Sequence, residues 1–275
     1  MVTLSVCLET VYPQLPVDER IARIAEAGFP SVEFWHPEGT WDGRSVRTDW
    51  AKDAVAVRRA CDRYGATLND FALHAWDGSI GGSPVKPQDR GRFLAQVRQM
   101  MAFAQEAGCR QGIVLSGTVD ESLSRQQMRK NLEDALAEAV AIADQADFTL
   151  LLEPLNTLVD HPGYYLDSSR EAVEIVRTLG SPRLRVLYDV YHMQIMEGNV
   201  LATIEKNLPW IGHFHAAGVP GRGEVFDSEL HYPTILAKIK SLGYDGSFGL
   251  EYFPRLGDHG QSLRRSLEHL SPSIP

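Results

Sequence analysis

At 275 residues, 44% of them hydrophobic and with no break in composition, the chain is long enough to bury a full core. A net charge of −9 and a pI near 5.5 exclude the basic stripe that nucleic acid requires, and point to a small-molecule partner. Cys7, Cys61 and Cys109 lie far apart with no C-x-x-C pair, which excludes a disulfide framework or zinc knuckle; no apolar run approaches a membrane span and the N-terminus has no secretory pattern, so a cytoplasmic location is expected.

In chain order, residues 4–8 read as a strand, and 17–27 as a helix with Ile21, Ile24 and Ala25 at helical spacing, closed by Gly28. Residues 31–34 form a second strand, 50–64 a helix ending at Gly65, 67–71 a strand, 89–107 a helix ending at Gly108, and 113–115 a strand. A helix over 122–146 leads into the run T-L-L-L-E-P-L-N, whose consecutive leucines fit a strand buried on both faces. Ser168-Ser169-Arg170-Glu171 reads as a capping box opening a helix to Leu179. Strands over 184–189, 211–215 and 247–251 follow, separated by helices over 200–207 and 232–242.

The connections are unequal. Those from helix to strand are short and carry glycine, whereas those after strands (35–49, 72–88, 216–231) are long and rich in Trp, His and Gly. Short connections at one end and long ones at the other characterise a (β/α)8 TIM barrel, with chemistry at the C-terminal ends of the strands. A doubly wound sheet would call for a Gly-rich phosphate turn after an early strand, and the chain has none. One TIM-barrel domain over residues 1–275 is expected.

Four successive strands of the C-terminal half end in a hard-metal ligand: Glu153, Asp189, His215 and Glu251, separated by 36, 26 and 36 residues, each about one βα unit. Strand alternation turns Glu251 inward along with Gly249 and Ser247, and Asp189 inward between Tyr188 and Val190. Three carboxylates and an imidazole suit a divalent ion such as Mn²⁺, Mg²⁺ or Co²⁺ better than a structural zinc. His213 shares a strand face with His215 and is an alternative ligand.

The stretches E-P-L-N, H-P-G-Y-Y-L, Y-D-V-Y-H-M-Q, H-F-H-A-A-G-V-P-G-R-G-E with E-L-H-Y-P, and G-L-E-Y-F-P fall in order along the chain. In them it resembles hydroxypyruvate isomerase and its neighbours in the xylose-isomerase-like TIM-barrel superfamily. The resemblance implies that Glu153, Asp189, His215 and Glu251 bind a divalent metal, that Glu153 and Glu251 also exchange protons with substrate, and that His192 and Arg222 hold the substrate. Where related hydroxypyruvate isomerases can carry Gln as third ligand this chain has His215, as ketose 3-epimerases do.

Proton removal beside a carbonyl needs a base and a group to hold the enediolate charge; a carboxylate pair and a divalent ion meet those needs. The resemblance implies isomerisation of hydroxypyruvate to tartronate semialdehyde as the expected activity, with 2-oxo-tetronate isomerisation and ketose 3-epimerisation as alternatives. Abasic-site cleavage and non-enzymatic sugar binding are remoter ones. Gly221 and Gly223 flank Arg222 and allow close approach of a fork suited to a carboxylate. Trp35, His74 and Trp76 either rim the pocket or pack loops; Glu9 and His231 have no assigned role, no membrane partner is expected, and a homo-oligomer is left open.

Overall fold

Apolar runs of four to six residues become strands here because helices cover one of their faces and the interior of a closed sheet the other. The computed structural model describes residues 2–273. Its barrel strands are β1 (Thr3–Cys7), β2 (Ser31–Phe34), β3 (Thr67–Phe71), β4 (Gln111–Val114), β5 (Thr149–Leu152), β6 (Leu184–Asp189), β7 (Ile211–Ala216) and β8 (Ser247–Leu250). All neighbours are parallel, in the order β3-β2-β1-β8-β7-β6-β5-β4. The two outer strands meet through a single bridge, Ala72 beside Ile113, with Leu73 N donating to Ile113 O at 2.9 Å. The result is a nearly closed (β/α)8 barrel in one domain.

The helices outside are α1 (Val17–Glu26), α2 (Ala54–Tyr64), α3 (Arg90–Ala107), α4 (Arg125–Gln145), α5 (Ser169–Leu179), α6 (Val190–Met196), α7 (Val200–Asn207), α8 (Tyr232–Ser241) and α9 (His259–Leu270). Helix α2 starts four residues later than its apolar pattern predicts, because Asp53 caps it by accepting from Ala56 N at 2.7 Å. Helix α4 likewise starts at a complete capping box between Ser124 and Gln127. The box expected at α5 is half formed: Ser168 accepts from Glu171 N, but the Glu171 carboxylate turns to Arg125 and Tyr165. Helices α6 and α9 and a small antiparallel hairpin, Thr40–Trp41 with Val46–Arg47, are additions to the predicted elements. Among the described residues no helix is long and apolar enough to cross a membrane.

Barrel interiors of this kind are usually layered with Val, Ile and Leu. Here much of the interior is polar: Glu33 accepts from Ser5 Oγ and from Asn69 Nδ2, and Ser247 Oγ donates to Asn69 Oδ1 at 2.6 Å. The β2–β3 ladder slips between Val32 and Glu33, an irregularity beside this buried carboxylate. Gly249 faces the same space, and a Cβ there would run into the Glu33 carboxylate and the His215 ring. A polar core therefore rises through the barrel to the C-terminal ends of the strands.

Candidate active site

Each of the four strand-end residues is delivered by a local device. Leu150 to Leu152 are fully buried and Pro154 has no N–H, so β5 ends and leaves Glu153 at the barrel rim, its own N still bonded to Val114 O at 3.2 Å. Asp189 is both the last residue of β6 and the N-cap of α6, its Oδ1 accepting from Tyr191 N at 2.7 Å and His192 N at 3.4 Å. Glu251 continues past β8 with its N on Ala216 O at 3.0 Å. Together with His215 of β7, these side chains are buried and offer one ligand atom each, all within 4.8 Å of one another. The group could hold a metal ion.

Three carboxylates this close and this dry perturb one another. Burial, with Glu251 and Asp189 adding to it against His215, pushes Glu153 well above the usual carboxylate range. Burial raises Asp189 to about 6. Burial also opposes ionisation of Glu251, but the Arg222 guanidinium at 2.6 Å and His215 outweigh it and hold that carboxyl well below its ordinary value. Arg222 sits between Gly221 and Gly223 at φ +56°, a left-handed conformation that an arginine adopts at some energetic cost. Its bonds to protein run through Nη2 to Glu251 Oε2 and Nε to Glu251 O, and its guanidinium lies over the Tyr191 and Phe253 rings.

His215 faces a carboxylate beneath it. Its Nε2 is 3.1 Å from Glu33 Oε2, while Nδ1 lies 3.5 Å from Glu251 Oε2 and 3.8 Å from Glu153 Oε1; these are ion-pair distances, and neither ring nitrogen has a hydrogen-bond partner. His213, the alternative ligand, belongs to the layer below: its Nδ1 donates to Ser247 O, and Nε2 lies 2.9 Å from Glu33 and 3.2 Å from Asp70. Glu33, Asp70, His213 and His215 thus form a second buried group, which shares only His215 with the first. In it Asp70 is pushed up to about 7, by burial first and then by Glu33. Glu33 has no counterpart in the sequence-based reading, because a lone Glu within S-V-E-F carries no sign of the strand irregularity beside it.

Above the four residues lies a cavity of about 140 Å³ whose wall includes Trp35, His74, Trp76, His161, His192 and Arg222. His192 is fully buried, with Nδ1 2.6 Å from Asn156 Nδ2 and Nε2 3.5 Å from Asp189. Trp35 Nε1 donates to Glu251 Oε1 at 2.5 Å, so this indole contacts the site itself. His74 spends Nε2 on Leu115 N at 3.0 Å, and Glu9 pairs with the buried Lys52 at 2.6 Å, both holding loops. His231 caps α8 and does not line the cavity. His161 and Asn156 are the wall and support residues that the sequence reading did not single out. A larger groove of about 610 Å³ runs along α1 and α2, but it draws together no buried ligand group.

A family model described as xylose isomerase-like TIM barrel matches residues 21–272. The chain is 31% identical over 252 residues to 2-oxo-tetronate isomerase of Cupriavidus necator, covering 91% of this chain and 92% of the relative. It is 28% identical over 255 residues to hydroxypyruvate isomerase of Escherichia coli, covering 93% and 95%. Among solved structures, AP endonuclease, family 2 from Brucella melitensis is 30% identical, with a TM-score of 0.86 over 99% of both chains. With that model spanning most of its length and these isomerases matched nearly end to end, the chain belongs to the hydroxypyruvate isomerase family of the xylose isomerase-like TIM barrels and is an isomerase.

Proposed function

We propose that the protein is a metal-dependent isomerase of a short 2-oxo acid, converting hydroxypyruvate to tartronate semialdehyde, with 2-oxo-tetronate as the closest rival substrate. The observation that carries this reading is the placement of Glu153 and Glu251 within 3.8 Å of the same nitrogen of His215, beneath a cavity that Arg222 also lines. At about 140 Å³ that cavity is smaller than the ~300–1,000 Å³ of sites for larger ligands, which favours a three- or four-carbon acid over a six-carbon ketose. The names of the Cupriavidus and Escherichia relatives support the same substrate class.

The donor set fits a divalent ion. Bonds of about 2.0–2.6 Å place opposite ligands of one ion roughly 4–5 Å apart, and one atom from each of Glu153, Asp189, His215 and Glu251 meets that limit, with His215 Nδ1 unpartnered. These four would hold Mn²⁺, Mg²⁺ or Co²⁺. Such an ion supplies a Lewis acid for the negative charge that develops on the substrate oxygens when a carbon-bound proton leaves.

The chain's own residues do the rest. One of the Glu153 and Glu251 carboxylates takes the proton from the hydroxymethyl carbon and the other delivers a proton to the former carbonyl carbon. The hydroxyl proton moves between the two oxygens, so product and substrate are isomers and nothing external is oxidised or reduced. Arg222 pairs with the substrate carboxylate through the part of its fork not spent on Glu251, and His192 donates from Nε2. The surrounding indoles keep bulk water away from the enediolate.

The test is to strip the protein of metal, reload it with Mn²⁺, and offer hydroxypyruvate, 2-oxo-tetronate and a free ketohexose separately. Turnover of either oxo acid, lost on stripping and regained on reloading, is the expected result. Epimerisation of the ketohexose with both oxo acids untouched overturns the reading. A nuclease, the name carried by the Brucella relative, is disfavoured by the net charge of −9, and among the described residues the two ligand groups both lie within the barrel and share His215.

A further inference from the structure

The loop after β5 is built around one amide. Asn156 Oδ1 accepts from Val159 N at 3.1 Å and Asp160 N at 2.9 Å, which fixes the orientation of the side chain and leaves Nδ2 as a donor. Nδ2 then donates to Asp160 Oδ2 and to His192 Nδ1, each at 2.6 Å. The His192 proton is therefore on Nε2, which is buried and without a hydrogen-bond partner. The backbone carbonyl of Asn156 accepts from His161 N at 3.1 Å, so the same residue sets the position of His161.

His161 lies edge-on to Trp76, ring centroids 4.8 Å apart at 73°, and 5.4 Å from the His192 ring. Its Nδ1 is buried and has no partner in the protein. Burial and then the Arg222 charge push its pKa down to about 4, so the ring is a neutral imidazole. A buried ring nitrogen left unbonded is costly unless something entering the cavity satisfies it. Packing of the Trp76 and His161 rings would not by itself call for an imidazole, since a phenyl ring would fill the same wall.

From this geometry we infer that His161 is a third substrate-binding side chain, beside His192 and Arg222, and that its contact with Trp76 sets the length of carbon chain the cavity admits. The inference rests on the proposed action on short 2-oxo acids. Its hydrogen bond helps seat the three-carbon acid, and its ring occupies the space that a fourth carbon and its hydroxyl would use.

Steady-state kinetics of wild type, His161→Ala and His161→Asn on hydroxypyruvate and 2-oxo-tetronate test it, with thermal unfolding as the check on folding. In His161→Ala, kcat/KM for hydroxypyruvate is expected to fall roughly tenfold, mainly through KM, as when binding shared by ground and transition states is removed. The ratio of kcat/KM for the four-carbon over the three-carbon acid should rise at least about fivefold. His161→Asn, which restores a hydrogen-bonding group with less bulk, should regain part of the hydroxypyruvate activity while keeping the altered ratio, and it carries the test should His161→Ala not fold. A ratio within twofold of wild type in the folded variants overturns the inference and leaves the proposed function standing. Absence of wild-type turnover of both oxo acids overturns both.

Discussion

Glu33 Oε2 lies 3.1 Å from His215 Nε2, an ion-pair contact that sets a carboxylate from the barrel interior against the ring whose other nitrogen is turned to Glu153 and Glu251. Partners of this kind orient metal-ligating histidines and raise their basicity, and losing them commonly weakens metal affinity by about 10- to 100-fold. Glu33→Gln keeps the shape and removes the charge. It is expected to weaken Mn²⁺ binding within that range, measured by competition with a chelator. Unchanged affinity would assign Glu33 to packing alone.

Asp189 caps α6 and is proposed to bind the metal, and substitution can separate the two. Asparagine is as good an N-cap as aspartate, so Asp189→Asn should keep α6 and stay within roughly 0.5 kcal/mol of wild-type stability while losing bound metal. Asp189→Ala loses the cap as well and should be less stable by a further ~1 kcal/mol. Urea unfolding beside metal analysis reads both. Full metal content in both variants would remove Asp189 from the site.

Arg222 lines the cavity and is proposed to pair with the substrate carboxylate. Arg222→Ala should lower kcat/KM for an oxo acid by roughly 10- to 100-fold, mostly in KM, the scale of a lost charge-assisted hydrogen bond. Arg222→Lys restores charge without the fork and should recover only part of it. A KM unaffected by either change would mean that the guanidinium serves Glu251 and not the substrate.

His74 makes stability depend on pH. Its Nε2 accepts from Leu115 N, so the ring must be neutral when folded, and burial pushes its pKa from 6.5 down to about 4. Between those values the unfolded chain binds the proton and the folded chain does not, so this contribution is complete above about pH 6.5 and is lost as pH falls toward 4. Over the whole window the loss is roughly 3 kcal/mol. Denaturant unfolding from pH 7 to pH 4 should show a shallower decline in His74→Gln than in wild type; equal slopes would contradict this account.

The barrel was legible in the sequence because its signals are local: glycine-ended helices, apolar runs and unequal connections all repeat with the βα period. Glu153, Asp189, His215 and Glu251 were legible for the same reason, each ending or nearly ending a strand one unit after the last. Glu33 was not, since its inward aim accompanies a slip in the ladder beside Val32 and needs the missing side chain of Gly249 on a strand more than two hundred residues away. Helix α6 was hidden because its cap is the final residue of the preceding strand, leaving no loop to announce it. His161 and Asn156 sit in a loop whose shape is set by side-chain-to-backbone bonds that no periodicity records.

The central claim is that one of Glu153 and Glu251 takes a proton from the hydroxymethyl carbon of a short 2-oxo acid and the other delivers a proton to the adjacent former carbonyl carbon. NMR of the Mn²⁺-activated enzyme, then freed of the paramagnetic ion, with hydroxypyruvate in deuterated water reads this most directly. Tartronate semialdehyde should form with solvent deuterium at its second carbon, because the delivering carboxyl draws its proton from solvent. Glu153→Gln and Glu251→Gln should each slow product formation by about 10²- to 10⁴-fold, the usual worth of positioned acid-base catalysis. Product formed at the wild-type rate by both variants would contradict the claim.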